Sequence, residues 1–165
     1  ATTALATTFL NNNNRVGLFI YGNTLDWTYP GYGKIQRQRI LSALARTVPS
    51  DSEVFAKLDH LPTRLFPARS QLVFISALLP EDVKNLVYLK ARGFQLLVIS
   101  PDPVAYEARN LAPSESTRLA IRMAQLERNL LLDQLRQAGI QVMDWDAEIP
   151  FEQAAQAALS RVPGV

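Results

Sequence analysis

Cysteine is absent from this chain, so disulfides, thiolate nucleophiles and thiolate metal sites are excluded together. That absence fits a reducing compartment, and a cytoplasmic location is the expectation. Histidine occurs once, as His60, which rules out His-based metal clusters. Any base–nucleophile pair would have to recruit that single ring, and no serine lies in a G-x-S-x-G elbow. In its Leu-Asp-His-Leu-Pro setting, His60 reads as a structural or surface residue. Long apolar runs are missing as well. The longest are strand-sized, so neither a transmembrane helix nor a signal peptide is expected. An excess of one charge is also lacking: the net charge is +2 over 165 residues. The arginines are spread from Arg15 to Arg161 among acids, and nucleic acid is therefore not an expected partner.

What the chain does contain is an ordinary globular balance, 48% hydrophobic and 19% charged. At this length one domain spanning 1–165 is expected, burying roughly two-thirds of its unfolded surface. The most informative stretch runs from Gln71 to Pro103. Two apolar runs, Leu72–Ile75 and Phe94–Ile99, each end in a serine, and a helical pattern between them begins at Pro80 and stops at Gly93. Continuous apolar strands joined by a helical crossover predict a parallel sheet covered on both faces. Ligands of such sheets gather at the carboxyl ends of strands, which places Ser76, Ser100 and Asp102 where a site would be.

The remaining elements follow the same alternation. Ala1–Leu10 reads as the last turns of a helix stopped by Asn11–Asn14, because Asn tolerates the left-handed conformation. Arg15–Tyr21 is a strand. Gly22–Gly33 is a turn-rich loop, with Asp26–Tyr29 as a short return strand. Ile35–Val48 and a shorter Asp51–Leu61 read as helices, and Pro62–Ser70 as a linker. After Pro103–Asn110, a long helix covers Ser114–Ala138, with Arg118, Arg122, Gln125, Asn129, Asp133 and Arg136 on its polar face. At about 1.5 Å per residue it outreaches a usual strand, so one end should overhang the sheet. Its arginine-bearing face fits an acidic partner, although a solvated face is the ordinary explanation. Ile140–Met143 is a short strand and Phe151–Leu159 a final helix. Two helices end alike, in K-A-R-G-F and R-Q-A-G-I: a cation near the last turn, then a glycine free to take positive φ. The fold class that results is α/β, Rossmann-like and doubly wound, with a mostly parallel sheet flanked by helices.

Gly31-Tyr32-Gly33-Lys34 before a helix invites comparison with phosphate loops. Gln36 stands where the dinucleotide fingerprint wants its third glycine, and Ile35 follows the lysine where a P-loop needs Ser or Thr. A simple turn accounts for the same residues. Asp102, Asp144 and Asp146 follow predicted strands and Asp26 lies in an earlier loop. Such acids could gather around Mg²⁺ or Ca²⁺, but turn-forming and helix-capping roles account for them too. Trp27, Tyr29, Pro30 and Tyr32 form an aromatic loop that reads equally as an interface anchor or as a cap on the sheet.

Several of these segments together resemble a known family. They are R-V-G-L-F-I-Y-G from Arg15, Y-P-G-Y-G-K-x-Q from Tyr29, L-P-T-R-L-F-P-A-R-S-Q-L-V-F-I-S from Leu61, V-I-S-P-D-P from Val98 and L-E-R-N-L-L-L-D-Q-L-R-Q-A-G-I-Q-V-x-D-W-D from Leu126. The family is the prokaryotic domain of unknown function 58, whose conserved region is similar to a von Willebrand factor A domain. The resemblance covers about Arg15 to Trp145 and implies a protein-interaction module. Family members accompany chaperone-like ATPases of the MoxR type, and many carry membrane segments upstream. The chain departs from the von Willebrand pattern where that pattern binds metal. Asp-x-Ser-x-Ser is absent, no Thr occupies the Gly31–Gln36 loop, and Ser76-Ala77 stands where an Asp is expected after a strand.

The resemblance further implies that the first, central strand of such a domain would lie upstream of Ala1, a residue that opens the chain without an initiator Met. A sheet so truncated would borrow a strand from a partner or form a homo-oligomer. The reading is thus a non-enzymatic protein-interaction module with no cofactor. Its candidate surface comprises Asn23, Asp26, Trp27, Tyr29 and Tyr32 on one stretch, and Ser76, Ser100, Asp102, Asp144 and Asp146 at strand ends. The rival is a Mg²⁺-dependent enzyme or small-ligand binder using those acids.

Overall fold

The computed structural model describes residues 1–21, 26–48, 61–67 and 69–159. The expected Asp51–Leu61 helix, His60 and Asn23 therefore fall wholly or almost wholly outside the described residues. The chain groups into two compact units, Ala1–Leu61 and Pro62–Val165, where the composition had suggested one.

The first unit holds α1 (Thr2–Asn11), β1 (Val16–Ile20), β2 (Asp26–Gly31) and α2 (Gly33–Arg46). Asn13 adopts φ 57°, the left-handed stop that the Asn run predicts. The strands form an antiparallel pair, so the aromatic stretch expected as a loop is largely strand, as its return-strand reading anticipated. Ala6, Leu10 and Ile40 make the buried core, with Val16, Leu18 and Leu44 packed around it.

One polar side chain organises this unit. Gln36 is 2% exposed, and its Nε2 donates to the Val16 carbonyl at 2.8 Å and the Tyr29 carbonyl at 2.7 Å. It thereby ties both strands to α2 beside the bulge where their register slips between Val16 and Leu18. Gly31 leaves it room: a Cβ there would lie 2.7 Å from Gln36 Oε1. Gly17 is needed for a similar reason, since a Cβ would meet the Pro30 ring at 2.9 Å. Gly31 thus admits the Gln36 side chain, Gly33 takes φ 70° with open space around it, and the resemblance to a phosphate loop is superficial.

The second unit is mixed α/β, with a three-stranded parallel sheet flanked by helices, compatible with a Rossmann-like fold. Its strands are β3 (Gln71–Ile75), β4 (Gln95–Pro101) and β5 (Gln141–Trp145), in that spatial order. The crossovers are α3 (Pro80–Ala91), then the short α4 (Pro103–Ala108) with the long α5 (Glu115–Gln137), and α6 (Phe151–Leu159) follows β5. A single 3₁₀ turn at Thr63–Leu65 interrupts the expected linker. β4 is the middle strand, and Val98, Ile99 and Ser100 are buried in succession, which requires cover on both faces. Leu86 and Leu89 from α3, and Leu132 and Leu135 from α5, complete this core.

Both predicted helix stops form the same motif. Gly93 (φ 91°) donates to Lys90 O and Phe94 to Leu89 O, while Gly139 (φ 74°) donates to Arg136 O and Ile140 to Leu135 O. Each is a Schellman closure, with the residue after glycine turned back onto a buried leucine. Around Gly139 the nearest atom to an added Cβ is Lys90 Cε at 3.7 Å, so space is not the constraint. Replacing Gly139 by Ala is expected to cost about 1 kcal/mol through backbone strain alone, measured as a lower midpoint in urea unfolding. Gln36→Leu is expected to cost about 1–3 kcal/mol by leaving two strand carbonyls unpaired, and the same titration reads it.

Candidate functional site

The carboxyl edge of the parallel sheet is the place where this architecture ordinarily holds a ligand. Ser100 and Asp144 are cross-strand partners there, at the ends of β4 and β5. Asp102 follows β4 and caps α4, its Oδ1 accepting from the Val104 and Ala105 amides at 2.9 and 3.0 Å. Ser76 follows β3, and its Oγ accepts from the Leu78 amide at 3.2 Å. Leu78 itself sits at φ 64°, a left-handed conformation uncommon for a leucine, with its side chain buried in compensation.

Into this edge projects Arg128 from α5. Only 6% of the residue is exposed. Its Nη2 donates to Asp144 Oδ1 at 2.7 Å, to Ser100 O at 3.1 Å and to Ser100 Oγ at 3.2 Å. Its Nη1 reaches the Ala77 carbonyl at 3.4 Å, and its Nε lies 3.5 Å from Asp102 Oδ1. One guanidinium therefore gathers groups from the ends of all three strands. Its planar fork of donors suits this many-sided role, which a lysine could not fill. A cation so deeply buried is tolerable only when paired and hydrogen-bonded, and Asp102 and Asp144 supply the pairing.

The acids predicted at this edge are thus brought together, but around an arginine. Ala77 contributes its carbonyl to the same guanidinium. Among the described residues, no group of three or more His, Cys, Asp or Glu side chains is placed to hold a metal ion. Asp146 turns elsewhere. Its carboxylate accepts from Arg109 Nη2 at 2.9 Å and from the Glu148 amide at 3.1 Å, and Arg109 Nη1 also pairs with Glu148 at 2.8 Å. The Glu148 amide first, and Arg109 second, hold the Asp146 carboxyl below its ordinary range, while the hydrogen bond to Asp146 raises the Arg109 guanidinium. Trp145 stiffens this turn by donating to the Ile149 carbonyl at 2.8 Å and meeting the Phe151 ring edge-on.

The other predicted residues belong to the first unit. Trp27 stands opposite Phe19 across the strand pair, their rings edge-on at 5.1 Å, and Tyr29 continues the row 5.8 Å further. Tyr29 and Tyr32 are 72% and 64% exposed, whereas Trp27 is half-buried. Among the described residues, Asp26 makes a 3.9 Å contact with the exposed Arg46, a pair of little energetic weight.

Arg128 is the residue that reading the sequence missed. Its signal was phase: it precedes Leu132 by four residues and Leu135 by seven, so it stands on the apolar face of α5 where a charge needs a reason. Compared with family models, with curated proteins and with solved structures, the chain matches none of them.

Arg128→Met is expected to destabilise the second unit by about 1–3 kcal/mol, because Asp102 and Asp144 lose their counter-charge while Asp144 stays partly solvated and Asp102 keeps its two backbone amides. Arg128→Lys should recover only part of that loss in the same denaturant titration. Asp146 titrates below its unfolded value, so its stabilising contribution is present above the ordinary carboxylate range and disappears as pH falls through the lowered folded value. Asp146→Asn should therefore flatten the acid limb of a stability–pH profile and leave the neutral region little changed in shape.

Proposed function

We propose that this chain is a non-enzymatic protein-interaction module on a von Willebrand factor A-like α/β scaffold. Its partner class is the one the family resemblance implies, a MoxR-type AAA ATPase, with which it would work in the cytoplasm on the assembly or maturation of other proteins. A single observation carries this reading. The edge at which a sheet of this kind would hold a substrate or metal is filled by Arg128, which hydrogen-bonds to Asp144, Ser100 and the Ala77 carbonyl through its two Nη atoms. It is ion-paired with Asp102 at 3.5 Å, its Nε being buried with no hydrogen-bond acceptor among the described residues. A divalent cation would have to displace a buried guanidinium and replace its contacts to three strand ends. The exposed rings of Tyr29 and Tyr32 support a contact surface on the first unit, since tyrosine is a favoured interface anchor.

The rival reading, a Mg²⁺-dependent enzyme, is separated by ligand linkage. A cation binding the folded state at 100 times its dissociation constant stabilises by about 2.7 kcal/mol, which thermal melting resolves. The module predicts no shift of melting temperature with millimolar Mg²⁺ or Ca²⁺; a rise of several degrees would favour the enzyme. The positive arm is binding of the chain to a MoxR-type ATPase by interferometry, with the Tyr29→Ala/Tyr32→Ala variant weakened at least tenfold. Absence of binding by the unaltered chain would remove that partner class.

A further inference from the structure

α5 is apolar on two sides. One side carries Arg128, Leu132 and Leu135 into the second unit. The other carries Leu119, Met123, Leu126 and Leu130, which remain 58%, 55%, 62% and 65% exposed. At about 100° per residue the two rows lie roughly 180° apart around the helix. Ordinary surface helices bury one stripe and leave the opposite face polar, so a second row of large apolar residues requires its own explanation.

The spacing of that row is 4-3-4, the alternation of a coiled-coil seam, and it reads the same from either end. Laid antiparallel on a second copy of itself about a two-fold axis between residues 124 and 125, the row is self-complementary. Leu119 then faces Leu130 of the other copy, and Met123 faces Leu126. The charges along one flank agree with this orientation. Glu115 comes beside Arg136 of the other copy, and Arg118 beside Asp133. A parallel arrangement in register would instead set the two Asp133 carboxylates face to face. Within one chain Asp133 and Arg136 already pair at 2.8 Å, but an exposed pair of this kind contributes little and leaves both free to rearrange.

We infer that the outer face of α5 is a homodimer seam, formed by antiparallel packing of Leu119, Met123, Leu126 and Leu130 against the same residues of a second copy. Such a two-fold contact is isologous, the commonest way for one chain to pair with itself. The seam is short, about 17 Å from Leu119 to Leu130, and smaller than a standard interface of about 800 Å² per partner. The dimer should accordingly be reversible in the micromolar range.

Sedimentation equilibrium of the intact chain between about 1 and 200 µM, a range chosen for an interface below standard size, tests this. The expected result is a monomer–dimer equilibrium that Leu126→Glu abolishes while the circular dichroism spectrum stays unchanged. A chain that is monomeric throughout the range, or a dimer that Leu126→Glu leaves intact, overturns the inference. Orientation is read separately, using the natural lack of cysteine. Under mild oxidation, a mixture of the Leu119→Cys and Leu130→Cys proteins should yield the mixed disulfide in preference to either homodimer. Cross-linking of each variant only to itself would overturn the antiparallel packing.

Discussion

The buried guanidinium of Arg128 is the constraint on which the sheet end of the second unit depends. Parallel strands finish together, and each leaves carbonyls and polar side chains at the same edge. In this chain those groups are the Ala77 and Ser100 carbonyls, the Ser100 hydroxyl and the Asp102 and Asp144 carboxylates. Without a cation among them, the two carboxylates would lose their shared counter-charge, and the Ala77 carbonyl would keep the Ser100 hydroxyl at 3.4 Å as its donor. Arg128 satisfies them from one side chain, and in doing so fixes where α5 lies over the strand ends. The same contact converts what could be a ligand site into structural core.

Gln36 plays a parallel part in the first unit, where the problem is a two-stranded ribbon too small to be stable unaided. Its amide ties Val16 and Tyr29 to α2, and the glycines at 17 and 31 exist because Pro30 and Gln36 occupy the space that side chains would need. Both units therefore solve a packing problem with a buried polar side chain from a helix. The apolar core alone would define layers; the directed hydrogen bonds define how strand ends and helix meet.

The elements of the second unit were legible because their signals are local. Pro80 begins α3, Gly93 and Gly139 end α3 and α5, Ser114 caps α5, and each of these acts within a turn or two of the chain. The site was less legible. Ser100, Asp102 and Asp144 could be placed at strand ends, yet their common partner lies on a helix between them in sequence, and nothing local announces it except its phase against Leu132 and Leu135. Asp102 and Asp146 could be recognised as cap and turn formers, which they are. The sharing of the chain between two compact units was not visible in composition, because Leu61 and Pro62 differ little in character from their surroundings.

By itself the sequence determined the kind of most of the described elements, the parallel pairing of β3 with β4 through a helical crossover, and the lack of thiolate or histidine-cluster chemistry. These follow from hydrophobic period, turn residues and residue inventory, which are properties of neighbours along the chain. Only the tertiary structure decided that the acids at the sheet edge close around Arg128, and that Gly31 serves a glutamine amide. The reason is physical. A buried charge is specified by what surrounds it, and its surroundings come from residues 16 to 51 positions away.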